Sequence, residues 1–113
     1  VTDDAAAARE ALARDITGYA TVDSYASFFR NAGFTDEVNA VNAAWRPGDR
    51  ARAVKQVSPR FLDGLGVVGP AAFCRERIAE FTRAGLTQPV IVPFAPGGAD
   101  ARAAQLNTLR AFP

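Results

Sequence analysis

The sequence contains no histidine, no methionine and a single cysteine, Cys74. Without histidine it lacks the side chain that most often serves as acid, base or metal ligand. One cysteine excludes an internal disulfide, so we expect a reducing compartment and a cytoplasmic location. Because methionine is absent even at position 1, we expect a processed chain or part of a longer one.

Charge of one sign and long hydrophobic runs are also scarce. The 113 residues carry 13 basic and 12 acidic side chains, so the formal net charge is only +1. No apolar run approaches the roughly 18 residues of a membrane span. We therefore expect neither a nucleic acid nor a membrane as partner. Hydrophobic residues make up 49% of the chain, which is enough to bury a core.

Apolar side chains recur every three or four residues in the first part of the chain, a spacing that predicts α-helices. The three apolar stripes are Ala8, Leu12, Ile16 and Tyr19; Val22, Tyr25, Phe29 and Ala32; and Val38, Val41 and Trp45. Thr2 and Thr35 are predicted caps for the first and third helices, and Gly33 is predicted to end the second. Short helices are predicted over 49–57 and, after Ser58-Pro59, through Leu62.

The second part of the chain has a different pattern. The apolar runs 65–68 and 90–92 predict two buried strands, and the helical pattern 71–84 separates them. Strand, helix and strand together take about the thirty residues of a βαβ unit, whose strands are parallel. A loop is predicted over 95–98 and a last helix over 99–111, with Leu106 and Leu109 facing inward. Since two parallel strands do not form a stable sheet alone, the pattern favours part of a larger α/β protein.

Three stretches of the sequence carry a family resemblance: VTDDAAAAREALARDITGYATVDSYASFFRNAGF, GFTDEVNAVNAAWRPGDRARAVKQVSPRFLDGLGVVGPAAFCRERIAEFTRAGL and QPVIVPFAPG. They resemble the luciferase-like monooxygenase superfamily, especially its deazaflavin-dependent branch. The resemblance implies an α/β fold, the C-terminal portion of a (β/α)8 TIM barrel, helix-rich and with about two parallel strands here. Residues 1–113 would then be a partial single domain: about the last three β/α units plus a helical insertion at 21–62.

The resemblance also implies a function. We expect a fragment of a flavin- or deazaflavin-dependent oxidoreductase or monooxygenase that binds FMN or coenzyme F-420 and transfers hydride or activates oxygen. Its partners would be a small-molecule substrate and further copies of itself in a homo-oligomer. The catalytic residues would lie outside this chain, and the fragment alone would be inactive. The alternative is a small autonomous α-rich module for interaction or dimerisation, without catalysis.

Gly69, Pro70 and Ala71 are the candidate cofactor-binding residues. They lie between a predicted strand and a predicted helix, where free amides and the helix dipole favour a phosphate. The alternative is a plain turn with proline at a helix start. Phe94, Ala95 and Pro96 follow the second predicted strand and could line a ring cofactor, although simple packing of the loop is favoured.

Structural roles are favoured for the remaining polar candidates. The basic residues Arg46, Arg50, Arg52, Lys55 and Arg60 could meet an acidic tail or a phosphate of a deazaflavin, but a solvated helix face is favoured. Cys74 is expected to be a buried packing residue, and Asp3, Asp4, Asp36 and Glu37 are expected to be helix-start residues. No metal site is predicted.

Overall fold

The computed structural model describes residues 1–95 and 100–112, and the regular structure of this part of the chain is α-helical. The helices are α1 (Ala5–Ala20), α2 (Asp23–Asn31), α3 (Thr35–Trp45), α4 (Arg50–Lys55), α5 (Pro59–Leu65), α6 (Ala71–Arg83) and α7 (Ala101–Arg110). Each helix that the apolar spacing predicts is therefore present. Pro96 to Gly98 of the predicted loop, and Ala99 of the predicted last helix, lie outside the described residues.

The predicted α/β fold, as a TIM-barrel portion with about two parallel strands, is wrong for the residues that the structure describes. They contain no strand: Leu65 ends α5, and residues 88–95 form no regular element. A strand requires a ladder of hydrogen bonds to a neighbour, and an apolar run does not supply that neighbour. Val90 and Val92, expected to be buried, are 78% and 82% exposed.

The chain divides into two compact units, which are described separately. The middle unit is Leu12–Gly66, and the terminal unit combines Val1–Ala11 with the residues from Val67 onward.

The core of the middle unit forms where its helices bury small and aromatic side chains against one another. Phe61 is fully buried, with its ring centroid 5.5 Å from that of Phe29 and 5.0 Å from that of Phe34. The other buried members are Ala13, Ile16, Ala20, Ala26, Val38, Val41, Ala44, Ala53, Val57 and Leu62. Burying a side chain of this size stabilises a fold by roughly 1.5–3 kcal/mol, so Phe61 is an anchor of the unit.

Local sequence signals place these helices. The Ser58 side chain accepts a hydrogen bond from the Phe61 amide at 3.1 Å, and Pro59 begins α5 as predicted. Gly33 has a φ of 95°, the left-handed conformation that glycine adopts most easily, and it separates α2 from α3. The Asn42 side chain also donates to the Ala20 carbonyl at 2.9 Å, which connects α3 to the end of α1.

Two details of the predicted helices are wrong. Thr35 is the first residue of α3 instead of its cap, and the cap position is occupied by Phe34, whose side chain makes no capping hydrogen bond. Leu106 and Leu109 are 40% and 47% exposed, whereas Thr108 between them is buried. The spacing of apolar residues along a ten-residue helix fixes a stripe, but it does not say which surface that stripe meets.

The terminal unit is held together by hydrogen bonds of its first residues. The backbone nitrogen of Val1 donates to the Thr108 hydroxyl at 2.9 Å, and the Thr2 amide donates to the Gly69 carbonyl at 2.9 Å. Ala8 and Cys74 are buried in this unit. The first two residues therefore contact both the turn before α6 and the helix α7.

Candidate functional site

The predicted phosphate-binding turn lies in the terminal unit, directly before α6. Gly69 is buried, Pro70 occupies the cap position, and Ala71 is the first helical residue. The Gly69 carbonyl accepts hydrogen bonds from the Thr2 amide at 2.9 Å and from the Cys74 thiol at 3.3 Å. The turn is thus fixed on its carbonyl side by two donors from the same unit.

A side chain at position 69 would disturb this turn. A Cβ atom built on Gly69 would lie 2.8 Å from Cδ1 of Phe73, closer than such atoms approach in real proteins. Glycine therefore allows the Phe73 ring to pack against the backbone at the start of α6. This contact gives a physical reason for glycine in the sequence Gly69-Pro70.

The start of α6 has backbone donors without a capping side chain. No side chain caps the helix, and the Cys74 amide makes a helical hydrogen bond to the Pro70 carbonyl at 3.0 Å. The amides of Ala71, Ala72 and Phe73 precede that bond, and such amides have no partner within a helix. Together with the positive end of the helix dipole, they can bind an anion.

Cys74 is 2% exposed, which confirms the prediction of a buried packing residue. Its thiol donates to the Gly69 carbonyl, so the side chain helps to hold the turn. A thiol in this position is not accessible for nucleophilic attack on a substrate.

The second predicted cofactor wall is only partly described. Phe94 and Ala95 are half-buried, and Pro96 lies outside the described residues. The strand expected before Phe94 is absent from residues 1–95. The expected position of Phe94 at the mouth of a barrel is therefore not supported.

The five basic residues of the stretch are exposed, as expected of a solvated helix face, whereas Ala53 and Val57 between them are buried. The Arg50 guanidinium lies 3.4 Å from the ring centroid of Trp45 and donates to the Trp45 carbonyl at 2.9 Å. Asp49 uses its carboxylate to cap α4 by accepting from the Arg52 amide at 2.9 Å. These contacts join neighbouring residues of the same stretch and do not form a binding pocket.

Two predicted helix-start carboxylates have different environments. Asp4 accepts a hydrogen bond from the Ala7 amide at 3.3 Å, as a cap of α1 does. Glu37 accepts hydrogen bonds from the Arg60 guanidinium at 2.6 Å and from the Ser58 hydroxyl at 3.4 Å. A hydrogen bond from the backbone, followed by the hydrogen bond and charge of Arg60, holds the pKa of Glu37 below its usual value. This carboxylate is therefore held ionised as a structural group.

The middle unit contains a groove of about 550 Å³ that the sequence analysis did not find. One side is formed by α1 with Leu12, Asp15, Ile16 and Tyr19, and the other by α2 with Ser24, Tyr25, Phe28 and Phe29. Leu65 completes the lining. The spacings along both helices are three, four or one, so each set lies on a single helix face. That periodicity was a usable signal, but it does not predict that the two faces enclose a groove.

Residues 1–95 and 100–112 contain no group of three or more Cys, Asp or Glu side chains placed to hold a metal ion. In the same part of the chain, no helix has the length and apolar character needed to cross a membrane.

Comparison with known proteins identifies the class of the chain. The sequence model of the luciferase-like monooxygenase family matches residues 1–88, which is most of the chain. The chain therefore belongs to the luciferase-like monooxygenase family. This family membership supports a general class of function, that of an oxidoreductase or monooxygenase. Comparison with curated proteins found no match, and comparison with solved structures found none.

Proposed function

We propose that the chain is part of an oxidoreductase that uses coenzyme F-420 or FMN, and that the turn Gly69–Ala71 binds a phosphate of that cofactor. The observation that carries this proposal is the start of α6, where no side chain caps the first amides. Membership of the luciferase-like family supports this class of cofactor. Both candidate cofactors carry a phosphate group, which is the group that the turn would bind. Such a cofactor, when bound, supplies hydride transfer or oxygen activation.

The residues of this chain are better suited to binding a phosphate than to catalysing the reaction. Three successive amides and the helix dipole suit an anion, and Gly69 keeps a side chain away from the turn. The sequence has no histidine to move a proton, and Cys74 is buried. We therefore place the catalytic residues and the contacts to the small-molecule substrate outside these 113 residues. The isolated chain is expected to be inactive.

The deazaflavin-dependent branch is the finer assignment that we favour. It rests on the resemblance of the three quoted stretches, which together span nearly the whole chain. Between the two cofactors, coenzyme F-420 is thus the first to test, with FMN as the comparison.

A second candidate function is a small helical module for interaction or dimerisation, without catalysis. The observation that favours it is the purely helical regular structure of residues 1–95 and 100–112. In this case the start of α6 would be an ordinary helix end, and phosphate would not bind there.

The experiment that separates the two functions maps binding on backbone amides by NMR. FMN is compared with riboflavin, which has the same ring but no phosphate, and inorganic phosphate and coenzyme F-420 are added in separate titrations. We expect FMN, F-420 and phosphate to shift the amides of Ala71, Ala72 and Phe73, and riboflavin to leave them unchanged. Equal shifts with FMN and riboflavin, or no shift with any phosphate compound, would contradict the proposal.

One substitution tests the amides directly. Ala71→Pro removes one N–H but suits the first position of a helix, and the φ of −59° and ψ of 154° at Pro70 are compatible with a following proline. Ala71→Gly is the matched control because it retains the amide. A hydrogen bond to a charged group contributes about 1.5–3 kcal/mol. We expect Ala71→Pro to weaken phosphate binding by at least about tenfold, and Ala71→Gly to have little effect.

A further inference from the structure

The groove of the middle unit has the composition of a small-molecule site. Its volume of about 550 Å³ lies within the range of known ligand pockets, roughly 300–1,000 Å³. The floor is apolar, with Leu12, Ile16, Leu65 and the buried Phe29, and the exposed rings of Tyr19, Tyr25 and Phe28 form the rim. Such sites take the apolar body of a ligand and orient it with a few polar groups.

The rings at the rim are exposed and grouped. Tyr19 and Tyr25 lie edge to face with their centroids 4.8 Å apart, and Tyr25 lies 6.3 Å from Phe29. Phe28 is 64% exposed although it is a large apolar side chain. Aromatic faces carry negative electrostatic potential, and clusters of them bind ammonium groups.

The charge of the groove has a single sign. Asp15 is its one charged lining residue, and it lies one helical turn before Tyr19 on the same face of α1. Within residues 1–95 and 100–112, the structure gives the Asp15 carboxylate no ion-pair partner. A ligand that complements this groove therefore has an apolar body and a positively charged head.

We propose that the groove between α1 and α2 binds a small organic amine, with its apolar body on Leu12, Ile16 and Leu65 and its ammonium group between Asp15 and the rings of Tyr19 and Tyr25. This proposal is independent of the phosphate-binding turn, since it uses only residues of the middle unit. A second copy of the chain or a peptide is a different occupant, and the experiment below distinguishes it.

The test uses three probes with one body: 2-phenylethylammonium, 2-phenylethanol and phenylacetate. Each is titrated at neutral pH into the isotope-labelled chain, and the amides of α1 and α2 are followed by NMR. A charge pair at about 4 Å in water changes affinity by about fivefold. We expect the ammonium probe to bind at least that much more tightly than the alcohol, and phenylacetate to bind most weakly.

Two variants locate the two sources of this preference. Asp15→Asn is expected to bring the ammonium probe to within about twofold of the alcohol, whereas Asp36→Asn, at an exposed carboxylate outside the groove, should leave the preference unchanged. Tyr25→Leu keeps an apolar side chain but removes a ring, so it should weaken the ammonium probe more than the alcohol.

Three results would overturn the proposal. The first is equal affinity for all three probes, and the second is a set of shifts outside α1, α2 and Leu65. The third is a set of groove shifts that appears on raising the protein concentration without any probe, because a second copy would then occupy the groove.

Discussion

The Arg60 guanidinium donates a hydrogen bond to Oε1 of Glu37 at 2.6 Å and thereby connects the start of α5 to the first turn of α3. The same guanidinium donates to the Gly33 carbonyl at 2.9 Å and lies 4.6 Å from the ring centroid of Phe34. One side chain thus contacts the α2–α3 turn, the acidic start of α3 and a ring that packs on Phe61. This arrangement makes the helix junction sensitive to the charge of Glu37.

The lowered pKa of Glu37 predicts an acid-dependent stability. An ionised Glu37 stabilises the fold above the usual carboxyl pKa, and this contribution is lost as pH falls through the lowered pKa of the folded state. Because Arg60 is largely exposed, we expect Glu37→Gln to lower the free energy of unfolding by about 0.5–1 kcal/mol at pH 7 and by less at pH 3.

Urea unfolding of both proteins across this pH range measures the effect, and Asp36→Asn is the control at a neighbouring exposed carboxylate. A difference between the parent chain and Glu37→Gln that stays constant from pH 7 to pH 3 would show that the charge of Glu37 has no part in it.

Phe61 is predicted to dominate the core of the middle unit. Phe61→Ala should lower the free energy of unfolding by about 3–5 kcal/mol, since the fully buried ring leaves a cavity between Phe29 and Phe34. Phe28→Ala is the matched control, because that ring is largely exposed, and we expect less than about 1 kcal/mol. If chemical denaturation shows equal losses of unfolding free energy for Phe61→Ala and Phe28→Ala, the Phe61 ring is not in the core.

Two glycines in helices are predicted to respond in opposite directions to alanine. A Cβ atom at Gly64 would lie 2.5 Å from Cζ of Phe34, whereas a Cβ at Gly18 would meet nothing within 4 Å. Gly64→Ala should therefore destabilise the fold by about 1–3 kcal/mol, and Gly18→Ala should stabilise it by up to about 1 kcal/mol. Thermal unfolding of the pair checks the sign of each change, and stabilisation by Gly64→Ala would contradict the packing of α5 on Phe34.

Local sequence signals predicted the helices. The strands and the groove depend on contacts between distant residues, and the sequence did not predict these correctly. The Ser58-Pro59 start and the Gly33 turn depend on neighbouring residues, so the sequence was sufficient for them. The strand at 90–92 was wrong because apolar runs are ambiguous and a ladder depends on a partner elsewhere. The groove was missed for a similar reason: the faces with Tyr19 and Tyr25 are visible in the sequence, but the packing of α1 against α2 is not.

Gly69, Pro70 and Ala71 could be selected from the sequence because proline and glycine before a helical pattern mark a helix start. Their predicted role in binding phosphate remains a prediction. The hydrogen bond that the Gly69 carbonyl accepts from the Thr2 amide could not be predicted, since Thr2 is distant in sequence.

The exposed valines of residues 90–92 are predicted to cause self-association. Val90 and Val92 are mostly exposed, and neighbouring apolar side chains exposed in this way favour association with another chain. Sedimentation velocity at increasing concentration should show a dimer or larger species, and the double substitution Val90→Lys and Val92→Lys should reduce it. Val22→Lys, at another exposed valine, is the control. A monomer at every concentration would contradict the homo-oligomer that the sequence resemblance led us to expect.

The most direct test of the account is equilibrium dialysis of the chain against FMN, coenzyme F-420 and riboflavin, which measures bound ligand whether or not its ring is enclosed, together with an assay for turnover. The account predicts that the chain binds the phosphate-bearing cofactors weakly, in the millimolar range, does not bind riboflavin, and catalyses no reaction, because one helix start can hold a phosphate but cannot enclose a ring. Micromolar binding of riboflavin, or turnover by the chain alone, would contradict it by showing that these 113 residues contain a site for the flavin ring or the catalytic groups.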